Sequence, residues 1–183
     1  MWKTGTIAEL CEIEYGTRVV RKQEQGTIYP VYGGGGETFR VDRKNRTDRV
    51  VISRFGMSEQ CTRYVNGDFF LNDSGLTLSP KTHELSQEFL NKVIFTLNDK
   101  IYALGRGAAQ KNLDMNAFKG IHFQYPPLAE QQRIVAKLDA ALAEIDKAVE
   151  ITRDRVDSSH QLFMKSLDSF VNATGLGEIT LLQ

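Results

Sequence analysis

The chain has 183 residues, of which 41% are hydrophobic and 25% are charged. This composition is typical of a soluble globular protein and argues against a disordered or fibrous chain. The 23 basic and 23 acidic side chains give a net charge of zero, which argues against a simple DNA-binding protein with a basic surplus. No apolar run reaches the roughly 20 residues needed to cross a bilayer, and the first residues lack a signal-peptide core, so we expect a cytoplasmic protein.

The charges are unevenly distributed along the chain. Residues 1–127 contain 17 basic and 14 acidic side chains, whereas residues 128–183 contain 6 and 9. Residues 40–54 alone carry a net charge of +4. Such a cluster is typical of a solvated loop and also of a surface that contacts phosphates, so charge alone leaves both interpretations open.

The first two thirds of the chain predict short strands separated by turns. β-Branched and aromatic residues are concentrated in residues 27–32, 49–53 and 69–71. The glycines at 33–36 predict a turn between strands. Asn66-Gly67 predicts a two-residue hairpin turn, because both residues tolerate positive φ angles.

Two helices are predicted after these strands. Leu85, Phe89, Val93 and Leu97 follow i, i+4 spacing and predict a helix over residues 84–98. A second, shorter helix is expected over residues 100–104. The cysteines at 11 and 61 fit neither a disulfide framework nor zinc-ligand spacing, and we expect both to be small buried hydrophobes.

A long helix is predicted to begin after Pro126-Pro127. Residues 128–173 contain neither proline nor glycine, and Thr174-Gly175 predicts the end of the helix. One set of positions recurs in alternating steps of four and three, which is a heptad pattern. These positions are Leu138, Leu142, Ile145, Val149, Thr152, Val156, Ser159, Phe163, Ser166 and Phe170.

This heptad seam needs a partner. A helix of about 36 residues would be about 54 Å long, and a domain of roughly 125 residues is too small to cover it. Either a second chain covers the seam or the helix breaks and folds back, and we favour the second chain. The candidate dimer interface is formed by Leu138, Leu142, Ile145, Val149, Val156, Phe163 and Phe170.

The sequence shows no recognisable catalytic motif. The glycines at 33–36 are not followed by the Lys-Ser or Lys-Thr of a phosphate-binding loop. Tyr125-Pro126-Pro127-Leu128 resembles the loop of amino-methyltransferases but lacks their polar first and aromatic fourth residue. The three histidines are scattered, without metal-ligand spacing. We therefore expect no catalytic residues, no metal and no cofactor.

Four stretches together resemble one protein family. They are residues 29–36 (YPVYGGGG), 50–56 (VVISRFG), 105–113 (GRGAAQKNL) and 125–135 (YPPLAEQQRIV). In this order they are similar to the specificity subunit of type I restriction–modification enzymes. The last stretch is the most specific, because it resembles the start of that family's helical spacer.

The resemblance implies an α+β fold in three parts. Residues 1–127 would form a β-rich target recognition domain with a few helices. Residues 128–175 would form a coiled-coil helical spacer and dimerisation region, and residues 176–183 a C-terminal tail. A full family member has two recognition domains and two spacers, so this chain is either a half-length subunit that self-associates or a fragment of a longer one.

The resemblance also implies the partners: double-stranded DNA, a modification (methyltransferase) subunit that carries the S-adenosylmethionine chemistry, and a restriction subunit for cleavage. The candidates for reading bases are two arginines beside turns, Arg54 and Arg63, and four residues of the glycine-bearing loop, Arg106, Gln110, Lys111 and Asn112. Arg54 has a structural ion pair as its alternative role. The full set of DNA-binding candidates is Tyr32, Arg43, Lys44, Arg46, Arg54, Arg63, Arg106, Gln110, Lys111 and Asn112.

Within this set, Arg43, Lys44 and Arg46 are expected to contact phosphates. Gln110 and Asn112 have the alternative of capping their own loop, and this loop has the alternative of facing the modification subunit.

The sequence thus predicts a non-catalytic, sequence-specific DNA-binding scaffold subunit. As an antiparallel homodimer it would recognise a bipartite inverted-repeat site. The alternative is a coiled-coil assembly protein whose globular head binds another protein, which the neutral net charge favours. A nuclease or methyltransferase is the third hypothesis.

Overall fold

The computed structural model describes residues 1–24 and 26–174. The chain divides into two compact units, Met1–Val135 and Ala136–Gln183. The first is rich in β-structure with a few helices, and the second is helical in its described part, which confirms the predicted fold class. The expected helix stop at Gly175 and the expected tail at 176–183 lie outside the described residues.

The centre of the first unit is a six-stranded sheet with the order β2-β7-β5-β6-β3-β4. Neighbouring strands are antiparallel except for β3 and β6, which are parallel. Its strands are β2 (Cys11–Tyr15), β3 (Tyr29–Tyr32), β4 (Glu37–Val41), β5 (Arg46–Ser53), β6 (Thr62–Leu71) and β7 (Gly75–Pro80).

Two smaller sheets complete the strand pairing of the described chain. β1 (Lys3–Thr6) pairs with β10 (His122–Tyr125), which joins the start of the chain to the segment that precedes the long helix. β8 (Gly105–Arg106) and β9 (Asn112–Leu113) form a short antiparallel hairpin.

The structure confirms both predicted short helices, with shifted ends. The described helices are α1 (Ile7–Leu10), α2 (Gln87–Thr96), α3 (Asn98–Ala103), α4 (Met115–Lys119) and α5 (Leu128–Thr174). The Ser86 hydroxyl accepts a hydrogen bond from Phe89 N and so caps the start of α2. Among the described helices, none is long and apolar enough to span a membrane.

The main hydrophobic core lies between the sheet and helices α1 to α4. Phe89, Leu90 and Ile94 of α2 are buried in it. Cys11 and Cys61 are also buried as free thiols, as predicted. Burial raises the pKa of the Cys11 thiol to about 12 and that of Cys61 to about 11, so both stay protonated and unreactive at neutral pH.

The predicted hairpin turn at Asn66-Gly67 is wrong. β6 runs through these residues without interruption and pairs with β5. Asp48 alone lies opposite Asn66 and Gly67, so β6 carries one extra residue in a β-bulge. Gly67 has a φ of 76° and donates its N–H to Asp48 Oδ1 at 2.7 Å. The prediction was right about a positive φ at Gly67 but not at Asn66, and a glycine with positive φ occurs in bulges as well as in hairpin turns.

Helix α5 begins at Leu128, as predicted, and continues unbroken through 47 residues, which corresponds to about 70 Å. Ile134 and Val135 pack against the core of the first unit. Gln131 is completely buried there and bonds the backbone of Glu84, Ser86 and Pro126. The first two turns of the helix are therefore part of the globular unit.

Candidate nucleic-acid interface

The loop of four glycines at 33–36 connects β3 to β4, as predicted. A Cβ on Gly33 would lie 2.2 Å from Ser74 Oγ, and one on Gly34 would lie 2.3 Å from Ser53 Oγ. The Gly34 N–H donates to Ser74 Oγ at 3.2 Å. The loop packs directly on Ser53 and Ser74, so a side chain at Gly33 would displace the Ser74 hydroxyl, and one at Gly34 would also crowd the Phe55 carbonyl at 3.0 Å.

The hairpin formed by β8 and β9 packs beside the turn that follows β5. Leu113 N donates to the carbonyl of Arg54, and Met57 N donates to that of Lys111, both at 2.9 Å. Asn112 Oδ1 accepts a hydrogen bond from Gly56 N at 3.4 Å. Asn112 therefore caps a neighbouring turn, while Gln110 remains exposed.

Three of the four stretches that carried the family resemblance meet in this region: residues 33–36, 53–56 and 105–113. They are distant in the sequence, and the ends of β3, β5 and β8 bring them together. We call this surface the glycine-loop face. Loops held by a rigid sheet are where binding residues are commonly found.

Arg54 belongs to the middle segment of the glycine-loop face, and its backbone bonds the hairpin. Its Cζ is 4.5 Å from the centroid of the Tyr15 ring and 4.7 Å from that of Phe55. Its Nη1 donates to the carbonyl of Asp73 at 3.0 Å. Within the described residues no carboxylate pairs with Arg54, so the alternative of a structural ion pair finds no partner here.

Tyr15 and Phe55 were not predicted as site residues, although each residue is 45% exposed. Phe55 stands beside a glycine at a turn, which is a usable signal for an exposed aromatic side chain. Tyr15 also precedes a glycine, Gly16, but its contact with Arg54 was not visible in the sequence, because the pairing of β2 with β7 brings the two residues together.

Arg63 lies on the rim of the same face. Its Nη1 would be 3.4 Å from a Cβ on Gly36. No acceptor contacts its guanidinium in residues 1–24 and 26–174. Tyr32 is nearby in the fold, but its ring packs edge-on against Phe69 at 5.7 Å, so the ring is partly buried.

Arg106 projects from the hairpin, with its side chain 80% exposed, and pairs with Asp114 Oδ2. The Asp114 carboxylate also caps α4 by accepting from Asn116 N and Ala117 N. The hydrogen bond from Ala117 N, helped by that from Asn116 N and the charge of Arg106, lowers the pKa of Asp114. Lys111 places Nζ 3.9 Å from the centroid of the Tyr102 ring.

Arg43 and Lys44 follow β4, and each has an acidic partner. Arg43 bonds both carboxylate oxygens of Glu24. Lys44 bonds Asp68 at 2.7 Å, and this hydrogen bond raises the pKa of Lys44 and lowers that of Asp68. Both basic side chains are about half exposed, so solvent screens these pairs and a phosphate can compete for the cations.

Arg46 is held more tightly than the other candidates, with only 17% of its side chain exposed. Its guanidinium donates to Thr77 Oγ1 and to the carbonyls of Asn45 and Tyr15, and lies 3.5 Å from Glu14. Burial lowers its pKa. These contacts favour a structural role that ties β5 to β7 and β2.

The helix of the second unit offers a different surface. Each of the seven candidate interface residues is between 42% and 63% exposed. Thr152, a polar residue on the same seam, donates its hydroxyl to the carbonyl of Ala148 and is thereby satisfied within the helix. The part of the chain that the structure describes contains no group of three His, Cys, Asp or Glu side chains that could hold a metal ion.

Comparison with solved structures shows the fold class. The S subunit of a type I restriction-modification system from M. genitalium aligns with a TM-score of 0.69 and 24% identity, over 97% of this chain and 49% of that one. The HsdS subunit from Thermoanaerobacter tengcongensis aligns with a TM-score of 0.57 and 20% identity, over 79% and 38%. A structure from work on complex assembly and conformational transition of the type I R-M system gives 0.60 and 21%, over 93% and 44%.

The family model of the type I restriction modification DNA specificity domain matches residues 1–153. The chain belongs to this family, as its motifs predicted. It spans about half the length of the first of the solved structures and less of the other two. No curated protein matches it.

Proposed function

We propose that this chain is a non-catalytic, sequence-specific DNA-binding subunit of a type I restriction–modification complex. One observation carries the proposal beyond family membership: three motif segments converge on one face around Arg54, a cation without a carboxylate partner among the described residues. A partly buried guanidinium of this kind suits hydrogen-bond acceptors supplied by DNA bases.

In this proposal residues 1–127 read the DNA and residues 128–175 form the spacer. Base contacts come from Arg54, Arg63, Gln110 and Asn112, and phosphate contacts from Arg43 and Lys44. The modification subunit supplies the methyl-transfer chemistry, the restriction subunit supplies cleavage, and the chain works as a cytoplasmic scaffold. The chain itself needs no cofactor for this role.

We further propose that two copies pair through their long helices. The exposed seam is a heptad stripe, and each copy would bury the seam of the other. An antiparallel pair would hold two recognition domains at opposite ends and therefore select a bipartite inverted repeat. A distance of about 50 Å between the centres of the two recognition domains corresponds to roughly 15 base pairs of duplex DNA.

Selection of DNA from a random pool tests the proposal. The full chain is used alone and together with the modification subunit that co-purifies with it. The expected result is a bipartite inverted repeat with one fixed gap. A single, non-repeated half-site would support DNA reading but contradict the symmetric dimer. No enrichment under either condition would contradict the proposed function.

A second hypothesis is a coiled-coil assembly protein whose head binds protein. The ion pairs of Arg43, Lys44 and Arg106 favour it, because they neutralise much of the basic charge within the chain. Duplex DNA binding separates the two hypotheses: the assembly protein would show no affinity that depends on sequence at fixed salt concentration.

A further inference from the structure

We infer that Tyr15, Arg54 and Phe55 form one base-reading unit, in which the two aromatic rings hold the guanidinium against a guanine of the DNA target. This inference rests on the proposed function and makes it specific. It assigns Tyr15 and Phe55 as positioning residues, a role that the sequence did not indicate, and it names the base that Arg54 reads.

The rings and the backbone restrict the guanidinium in complementary ways. Tyr15 and Phe55 contact it at 4.5 and 4.7 Å from their centroids, which restrains the plane of the group. The Asp73 carbonyl accepts from Nη1 at 3.0 Å and restrains rotation within that plane. A side chain fixed in this way loses little conformational freedom when it binds.

The remaining donors define what the unit can recognise. Nε is buried and has no hydrogen-bond partner among the described residues, so a ligand does not reach it. Nη2 is not among the buried atoms and donates to no acceptor in the described chain, and Nη1 keeps one further N–H. Nη2 is therefore the nitrogen left open to a partner, and the second N–H of Nη1 lies beside it on the terminal edge of the guanidinium.

Two donors on that edge match two neighbouring acceptors. Guanine presents O6 and N7 side by side in the major groove, and arginine binds both. Adenine offers N7 beside an amino group, which is itself a donor, so it fits poorly. The geometry favours guanine over the other bases because both terminal nitrogens find an acceptor only there.

The turn that carries Arg54 and Phe55 is bordered by a glycine and by a polar side chain. Gly56 has a φ of 61° and carries no side chain. Gln110 reaches within 3.4 Å of where a Cβ on Gly56 would lie, so its amide lies beside the same turn. No acidic residue contacts Arg54 in the described chain, whereas Arg43 and Arg106 are both paired with carboxylates.

The test begins with the DNA site selected by the full wild-type chain with its modification subunit. Each guanine of that site is replaced in turn by 7-deazaguanine, which lacks the N7 acceptor. We expect one position in each half-site at which affinity falls about tenfold. Arg54→Met keeps an unbranched side chain but removes every donor, so the preference for guanine at that position should be lost, and 7-deazaguanine there should have no further effect.

The positioning role of Tyr15 and Phe55 is tested by the preference for guanine at the same position. Tyr15→Leu and Phe55→Leu should weaken this preference, whereas the aromatic substitutions Tyr15→Phe and Phe55→Tyr should retain it. Arg40 is an exposed arginine paired with Glu37, so Arg40→Met is the matched control and should leave the preference unchanged.

The outcomes separate the two levels of the hypothesis. A wild-type chain that enriches no sequence overturns the proposed function and this inference with it. A wild-type chain that enriches a site in which no guanine is sensitive to 7-deazaguanine overturns the inference alone, and so does an Arg54→Met variant with the wild-type preference. The 7-deazaguanine measurement uses the wild-type chain, so it remains decisive even if a variant fails to fold.

Discussion

Arg43 and Arg54 carry the same guanidinium group in different surroundings, and this difference predicts different roles in DNA binding. Arg43 is half exposed and paired with Glu24. If it contacts a phosphate, Arg43→Ala should lower affinity for all sequences alike and reduce the salt slope by about one. Fluorescence anisotropy across a salt series measures both quantities.

Arg133 provides the matched control for this prediction. It is also about half exposed and bonds both carboxylate oxygens of one glutamate, Glu130. Arg133→Ala should therefore leave the salt slope unchanged if the effect belongs to Arg43 specifically. An Arg43→Ala chain with the wild-type slope would remove Arg43 from the DNA contacts.

Gly34 and Gly35 are neighbours with opposite packing constraints. A Cβ on Gly34 would lie 2.3 Å from Ser53 Oγ and 3.0 Å from the Phe55 carbonyl, whereas one on Gly35 would meet nothing within 4 Å. Gly34→Ala should destabilise the protein by about 1–3 kcal/mol through overpacking. Gly35→Ala should change the free energy of unfolding by less than about 0.5 kcal/mol. Urea unfolding measures both, and equal effects would contradict the packing described here.

Asp114 combines helix capping with neutralisation of Arg106, and the two roles can be separated. Asp114→Asn keeps a residue that caps helices well but removes the carboxylate, so the positive charge of Arg106 loses its partner. If Arg106 contacts DNA, this variant should bind more tightly than wild type at low salt, while Asp114→Ala should also lose stability. Unchanged DNA affinity in Asp114→Asn would indicate that Arg106 lies outside the interface.

The lowered pKa of Asp114 fixes the sign of its pH dependence. The carboxylate contributes stability fully above its unfolded-state pKa, and this contribution disappears as the pH falls through the lower folded-state pKa. The stability gap between wild type and Asp114→Asn should therefore narrow in that acidic range. Thermal unfolding of both proteins across an acid pH series checks the prediction.

At the scale of elements, one buried glutamine connects helix α5 to the globular unit. Gln131 Nε2 donates to the carbonyls of Glu84 and Pro126, and its Oε1 accepts from Ser86 N. Gln131→Leu would leave these backbone groups without their partner and should destabilise the unit by about 3 kcal/mol. Gln132→Leu, at the exposed neighbouring position, should have an effect below about 0.5 kcal/mol. Denaturant unfolding compares the two, and a Gln131→Leu chain as stable as Gln132→Leu would contradict the anchoring role.

Elements whose signals are local were predictable from the sequence. The long helix follows from the absence of proline and glycine, and α2 follows from its i, i+4 apolar spacing. The Asn66-Gly67 bulge was mistaken for a hairpin because a glycine with positive φ is a local feature of both. Whether β6 continues beyond Gly67 depends on its pairing with β5, and no local pattern contains that information.

In the candidate site, too, local features were predictable from the sequence and long-range contacts were not. The residue types of the glycine-loop face were visible as motifs, because glycines and polar side chains at turns are local features. The partners of those residues were not, since Arg54 meets Tyr15 only through the order of strands in the sheet. Burial likewise separates Arg46, which is enclosed, from Arg43, three residues earlier, which is half exposed.

At the scale of the whole molecule, recognition of a symmetric DNA site depends on the pairing of two chains through the exposed seam of α5 in the proposed dimer. Val156 lies on this seam and is 61% exposed in a single chain, and Ser158 lies two residues further, about 200° around the helix.

In the dimer, Val156→Asp would bury an unpaired charge at the helix interface, whereas Ser158→Asp would add the same charge to the solvent face. Val156→Asp should weaken dimerisation by about 100-fold or more, and Ser158→Asp should leave it nearly unchanged. Sedimentation equilibrium at micromolar concentration measures both. A wild-type chain that sediments as a monomer there, or a Val156→Asp dimer as stable as wild type, would show that another surface covers the seam, and the inverted repeat would lose its physical basis.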